Sequence, residues 1–179
     1  MTTRLWLVRH AETEWSRSGR LCGWTDVALN ERGRQQARAL AERLVGHRFT
    51  TAWSSDLRRA VETARLAYVD PSIDPRLREL SFGAIEGARW SDLEPDLQVA
   101  LTRFDGFAAP RGEDVNSLRR RVHAFIGGLP PGDHLIFTHG GVVRLLLREA
   151  GIDRAIGPAE VAVVNAADLG VEPVARHGR

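Results

Sequence analysis

The sequence predicts an α/β fold of three layers, with helices on both faces of a mostly parallel sheet. Apolar, strand-like runs alternate along the chain with patterns typical of amphipathic helices. The first run, residues 5–8, is continuously apolar, as expected of a strand buried on both faces. No repeat, low-complexity tract or long linker divides the 179 residues, so we expect a single domain over 1–179.

The first half of the chain predicts two strand–helix units. In order, its elements are a strand ending at Arg9, a loop over 14–29, a helix over 31–45, a strand over 49–54 and a helix over 56–68. Asn30 is placed as the N-cap of the first long helix, and Gly46 is placed to end it. This order predicts a right-handed crossover between two parallel strands.

The second half predicts further alternation after a region of short elements. In order, its elements are a weak strand over 73–77, short helical patterns over 90–104 broken at Pro95, a helix over 113–126, a strand over 134–138, a helix over 142–150 and strands over 161–165 and 170–174. The last strand is expected at a sheet edge. It could pair with its copy in a homodimer, although no residue requires this.

Composition excludes several classes of function. The chain contains no lysine, so all 25 basic residues are arginine and mechanisms that need a P-loop lysine or a lysine Schiff base are excluded. With a net charge of +2 and interspersed acidic residues, no nucleic-acid partner is expected, and Arg119–Arg121 is read as a solvated helix face. The single cysteine favours a cytoplasmic location, and no run approaches the ~20 apolar residues of a membrane span.

Two of the predicted strands end in histidine. Arg9 and His10 close the first strand, and His139 closes the strand over 134–138. The carboxyl ends of neighbouring parallel strands meet at one edge of a sheet, where ligands of such folds bind. Gly140 and Gly141 follow His139, so backbone can approach a ligand closely and a helix would direct its N–H groups at an anion. These residues predict an anion site with an imidazole beside it.

The motif Arg9-His10-Ala11-Glu12-Thr13 resembles the Arg-His-Gly signature of the histidine phosphatase superfamily, whose fold is phosphoglycerate-mutase-like. Residues 54–64 are similar to the family segment that places an arginine before an alanine, here Arg59 rather than Arg58. Residues 78–87 are similar to the segment that carries the proton donor, here Glu79. The resemblance implies a three-layer α/β/α sandwich around a mostly parallel sheet with an antiparallel edge strand.

The resemblance also implies a role for each residue of the site. His10 would attack phosphorus to form a phosphohistidine, and Glu79 would protonate the leaving alcohol and then activate water. Arg9, Arg59 and His139 would hold the phosphoryl oxygens. Substrate binding is expected from Arg9, Ser16, Arg59 and Gly140, although Ser16 replaces the usual asparagine and Ala11 the usual glycine. No cofactor or metal is implied, and Glu12 and Glu86 are expected to be structural.

The function predicted from these residues is metal-independent hydrolysis of a small phosphomonoester. A metal hydrolase is disfavoured by the arginines and by the lack of His-x-His spacing, and a cysteine phosphatase by Ala28 in the place of its arginine. A phosphoglycerate mutase stays open as the alternative, and so does a phosphate-binding module without turnover. The region 89–112 is short for a mutase and is predicted to form a small lid that selects the alcohol. Members directed to α-ribazole phosphate, phosphoglycolate or phosphoserine, and broad-specificity members, all fit.

Overall fold

A computed structural model of the protein describes residues 2–171, which build a five-stranded sheet between two layers of helices. The strands are β1 (Thr3–Arg9), β2 (Thr51–Ser54), β3 (Ser72–Ile73), β4 (Gly132–Thr138) and β5 (Val161–Asn165). They lie in the order β3-β2-β4-β1-β5. All neighbouring pairs are parallel except β1 and β5, which are antiparallel. The predicted mostly parallel sheet with an antiparallel edge strand is confirmed.

Helices connect the strands and supply both outer layers. They are α1 (Glu14–Arg17), α2 (Glu31–Leu44), α3 (Arg58–Ala67), α4 (Pro95–Arg103), α5 (Val115–Ile126) and α6 (Gly140–Glu149). The Asn30 side chain accepts a hydrogen bond from the Gly33 N–H at the start of α2, as predicted. Asp114 caps α5 in the same way, which is why that helix begins two residues later than expected. No helix within residues 2–171 is both long and apolar enough to cross a bilayer.

The pleat of β1 divides the core between the two faces of the sheet. Leu5 and Leu7 pack with apolar residues of α5 and α6, whereas Val8 packs on the opposite face with residues of α2 and α3. All three side chains are fully buried. Burial on both faces explains the unbroken apolar character of this strand and fixes its register in the centre of the sheet.

Several sequence predictions are corrected. Pro95 begins α4 instead of breaking a helix, because proline at a first helical position loses no hydrogen bond. The strand predicted over 73–77 shrinks to β3, and Pro75 starts a 3₁₀ turn after it. The loop over 14–29 contains the short helix α1, capped by Thr13. Gly170 ends a 3₁₀ turn in a left-handed conformation, so no strand starts there, and residues 172–174 of that prediction lie outside the described residues.

The two central strands bring the predicted chemistry together. β1 and β4 are parallel neighbours, with Arg9 level with Thr138 in the register. His10 and His139 are therefore the next residue on each strand, at the same edge of the sheet. The His10 N–H donates to the Thr138 carbonyl over 2.9 Å, which continues the pairing one step into the site.

Candidate active site

His10 and His139 lie side by side at the carboxyl edge of the sheet. Their ring centroids are 5.2 Å apart with planes inclined by 60°. His10 is 5% exposed and His139 is fully buried. The expectation that two strand-end histidines share one site is met by this geometry.

Local hydrogen bonding fixes the tautomer of His10. Its Nδ1 lies 2.7 Å from the backbone carbonyl of Ala11, which can only accept, so Nδ1 carries the proton and Nε2 keeps its lone pair. Burial, followed by the charges of Arg59 and Arg9, holds the pKa of His10 well below its ordinary value. The imidazole is thus neutral at physiological pH, the state in which Nε2 can act as a nucleophile.

Arg9 and Arg59 bring two cations to the histidines. The Nη1 of Arg9 donates to the Ile156 carbonyl over 2.6 Å. Arg59 is fully buried and donates to three carbonyls of the loop after α1, namely those of Cys22, Gly23 and Thr25. Within residues 2–171, the buried Nε of each arginine has no hydrogen-bond partner. Buried N–H groups of this kind are costly unless an anion accepts from them, so both point to an oxyanion ligand.

Glu79 supplies a buried carboxyl to the same site. Its Oε1 accepts from the Leu80 N–H over 2.8 Å, and its Oε2 accepts from the Gly141 N–H over 2.9 Å. Burial raises its pKa above the ordinary value, although both N–H groups oppose the rise. A carboxyl that keeps its proton to higher pH is suited to donate that proton to a leaving group. The N-terminal N–H of α6 at Gly141 therefore meets Glu79, where the sequence predicted that it would face a bound anion.

The close contact between Gly141 and Glu79 allows a test of whether the position of the Glu79 carboxyl matters for proton donation. A Cβ at Gly141 would lie 2.1 Å from Oε1 of Glu79, so Gly141→Ala must displace the carboxyl. We expect turnover of alkyl phosphates to fall by roughly 10² or more, the usual value of a positioned acid, while the helix itself gains from alanine. Gly128→Ala is the control, since its Cβ would meet its nearest neighbour at 3.5 Å. Steady-state kinetics and thermal unfolding of both variants check this, and unchanged turnover in Gly141→Ala would contradict it.

Arg121 is a functional residue that sequence reasoning missed. The sequence predicts a solvated helix face for this residue, but Arg121 donates to the carbonyls of Arg76, Arg78 and Glu79 and forms an ion pair of 2.7 Å with Glu113. The guanidinium thus holds the backbone that carries the Glu79 carboxyl. Successive residues of a helix point about 100° apart, so one of three adjacent arginines can face inward, and no sequence pattern marks which one does.

Ser16 and Gly140 lie where the resemblance puts substrate contacts. Both line a cavity of about 270 Å³ together with Arg9, His10 and Glu79. The Ser16 hydroxyl, however, donates to the Thr13 carbonyl and accepts from the Thr13 N–H, at 3.0 and 2.9 Å. Its proton is bound to the Thr13 carbonyl, so donation to a phosphate would require that hydrogen bond to open.

The remaining acidic and cationic candidates occupy structural positions. Glu12 accepts from the Asn30 side chain, and Glu86 accepts from the Thr25 N–H and so holds the loop beneath Arg59. Arg58 is exposed, as predicted from its place beside Arg59.

Burial raises the pKa of Cys22 to about 11, so its thiol is not a ready nucleophile. No group of three or more histidine, cysteine or acidic residues within 2–171 is arranged to hold a metal ion.

A second, larger cavity adjoins the one that the candidate catalytic residues line. It has a volume of about 620 Å³ and shares Arg9 and Gly140 with the smaller one. Its larger apolar lining residues include Leu21, Phe82, Trp90, Leu101 and Phe104. Three of these residues belong to the region 89–112. The segment expected to form a lid therefore packs on the core and also lines the space beside the catalytic residues.

Comparisons with known proteins agree with this geometry. A family model described as histidine phosphatase superfamily (branch 1) matches residues 5–166. The chain is 34% identical over 156 residues to a "Probable phosphoglycerate mutase GpmB" of Yersinia pestis (strain Pestoides F), which covers 80% of this chain and 73% of that protein. It is 48% identical to TTHB049 from Thermus thermophilus, with a TM-score of 0.84 and coverage of 90% and 92% of the two chains. A crystal structure described as phosphoglycerate mutase from the same organism gives the same values.

Proposed function

The chain belongs to the histidine phosphatase superfamily, and from this premise we propose that it is a metal-independent phosphomonoester hydrolase that acts through a phosphohistidine. The observation that carries the proposal is the state of His10. Its Nδ1 is bound to the Ala11 carbonyl, its Nε2 is free to attack, and burial keeps it neutral beside Arg9 and Arg59. A neutral nucleophile among cations suits attack on an anionic phosphorus centre.

The reaction proceeds by two displacements at phosphorus. The Nε2 lone pair of His10 forms an N–P bond as the P–O bond to the alcohol breaks, and Glu79 gives its proton to the leaving oxygen. Water then attacks phosphorus, gives a proton to the Glu79 carboxylate and displaces His10 as phosphate is released. Arg9, Arg59 and His139 donate to the equatorial oxygens, so catalysis rests on positioning and electrostatic stabilisation.

The walls of the larger cavity favour hydrolysis over mutase activity. A mutase must hold a second anionic group on the alcohol side, which requires free cations there. Besides Arg9, two arginines line this cavity, and both are engaged: Arg144 donates to the carbonyls of Leu101 and Thr102, and Arg154 pairs with Glu160. The apolar side chains of the same lining suit an uncharged, partly apolar alcohol.

Phosphoglycerate mutase is the second candidate, because the relatives from Yersinia pestis and Thermus thermophilus bear that name. Retention of the phosphoenzyme would distinguish the two activities. A phosphatase releases the phosphoryl group to water in every cycle. A mutase instead transfers it to the second hydroxyl of a bound monophosphate, and the other phosphoryl group of that bisphosphate regenerates the phosphohistidine. Arg20 lines the smaller cavity, but it donates to the Gly87 carbonyl and would have to give up that bond to hold a substrate carboxylate.

A panel of phosphomonoesters tests the proposal. With a chelator present, inorganic phosphate and product isomers would be measured for 3-phosphoglycerate, α-ribazole phosphate, phosphoserine and an aryl phosphate. We expect phosphate release from esters with apolar alcohols, at a kcat/KM roughly tenfold or more above that for 3-phosphoglycerate. Isomerisation of 3-phosphoglycerate without release would favour the mutase. Tight phosphate binding with no turnover of any ester would favour a binding module.

A further inference from the structure

Ser55 contacts His139, the second histidine of the candidate site, by a side-chain hydrogen bond. It directly follows β2, is fully buried, and its N–H donates to the Phe137 carbonyl of β4 over 3.0 Å. Its Oγ lies 2.8 Å from Nε2 of His139. The other nitrogen of that ring, Nδ1, is buried and has no hydrogen-bond partner within residues 2–171.

The direction of the proton between Ser55 and His139 follows from what surrounds the hydroxyl. The Leu57 N–H donates to Ser55 Oγ over 3.2 Å, and an N–H cannot accept. Among the described contacts of Oγ, Nε2 of His139 is therefore the group left to receive the hydroxyl proton. The reverse arrangement would leave a fully buried hydroxyl proton without an acceptor, which is unfavourable.

We propose that Ser55 is a positioning residue that holds His139 in the tautomer with its proton on Nδ1, so that this N–H is the group offered to the phosphoryl oxygens. The tautomer matters because the ring is neutral. Burial, together with the nearby charges of Arg59, Arg121 and Arg9 and the ring of His10, keeps the pKa of His139 well below its ordinary value. A neutral imidazole has one N–H, and a proton on Nε2 would turn the bare Nδ1 lone pair toward an anion.

The tautomer can be read directly in the folded protein. Histidine side-chain ¹⁵N spectra near neutral pH distinguish a protonated nitrogen from a bare one, and His139→Gln assigns the signals. We expect Nδ1 protonated and Nε2 bare in the wild type without substrate. A spectrum with the proton on Nε2 would overturn the proposal. This measurement needs no turnover, so its result does not depend on whether the protein is a phosphatase. The kinetic consequence described next does rest on the proposed hydrolysis.

Substitution of Ser55 gives the kinetic consequence. In Ser55→Ala we expect a mixture of tautomers and a fall in kcat of roughly 10- to 100-fold, the value of one hydrogen bond to a charged group, with a smaller change in KM. Ser55→Thr keeps the hydroxyl and should recover both the spectrum and most of the lost kcat. A spectrum and kcat that both stay at wild-type values in Ser55→Ala would contradict the proposal.

Ser54→Ala is the matched control. Ser54 is also fully buried, and its hydroxyl donates to the Ser55 carbonyl over 2.8 Å without contacting a histidine. The Ser54→Ala variant should lose about as much thermal stability as Ser55→Ala while keeping the wild-type ¹⁵N spectrum of His139. If Ser54→Ala and Ser55→Ala lowered kcat equally with unchanged spectra, the effect of Ser55 would be general packing and the positioning role would be wrong.

Discussion

His10→Asn is expected to abolish both turnover and the covalent phosphoenzyme. Asparagine approximates the size of imidazole but offers no nitrogen lone pair that can attack phosphorus. Without a nucleophile, the arginines and Glu79 still bind and polarise the ester, so substrate affinity should survive. Loss of a covalent nucleophile usually costs roughly 10⁴-fold or more in kcat, and we expect a loss of that size here.

The experiment traps the intermediate as well as measuring rate. Wild-type enzyme quenched during turnover of a labelled phosphomonoester should carry label that is stable in base and lost in acid, the behaviour of phosphohistidine. His47→Asn is the control, because His47 is an exposed histidine outside the site whose ring stacks on Phe49 and packs at a tilt against Trp6. Acid-labile label on His10→Asn, or turnover within tenfold of wild type, would place the nucleophile elsewhere.

The central strands and the histidines could be predicted from sequence because strand polarity is a strong constraint. A buried parallel strand must end at the edge where ligands bind, so Arg9, His10 and His139 could be assigned to one site before any distance was known. The predicted helix cap at Asn30 follows an equally local rule, whereas the cap at Asp114 was not predicted. The errors fall where local signals are ambiguous. Proline is common both after the end of a helix and at its first position, so Pro95 alone does not show which applies. The edge strand β3 has only two residues, too few for a clear pattern.

The supporting contacts of the site could not be predicted, because they join residues far apart in sequence. Ser55 meets His139 across 84 positions, and Gly141 meets Glu79 across 62. Each contact depends on which side of a turn or helix a single residue faces, which hydrophobic periodicity does not specify. Arg121 is the clearest case, since its neighbours Arg119 and Arg120 have the same chemistry and contact other groups, Glu149 and Ser117.

Glu79→Gln is expected to separate the two steps of the reaction. An alkyl phosphate needs a proton on its leaving oxygen, so its kcat should fall by roughly 10²- to 10⁴-fold. An aryl phosphate leaves as a stable phenolate and should still phosphorylate His10. Hydrolysis of that intermediate then lacks its base, and we expect a burst of one phenol per site followed by slow turnover. Stopped-flow absorbance with a chromogenic aryl ester measures both phases.

The pH dependence of kcat/KM tests proton donation by Glu79 independently. Burial raises the pKa of Glu79, so its proton persists above the range of an exposed glutamate, and kcat/KM for an alkyl ester should fall as pH rises through that pKa. This limb should disappear in Glu79→Gln. Glu79→Ala is the companion variant, because the amide nitrogen of glutamine would face one of two backbone donors, Leu80 or Gly141. If kcat fell equally for aryl and alkyl esters and neither variant showed a burst, Glu79 would not transfer a proton. Its role would then be structural, as the acceptor for the Gly141 N–H at the start of α6.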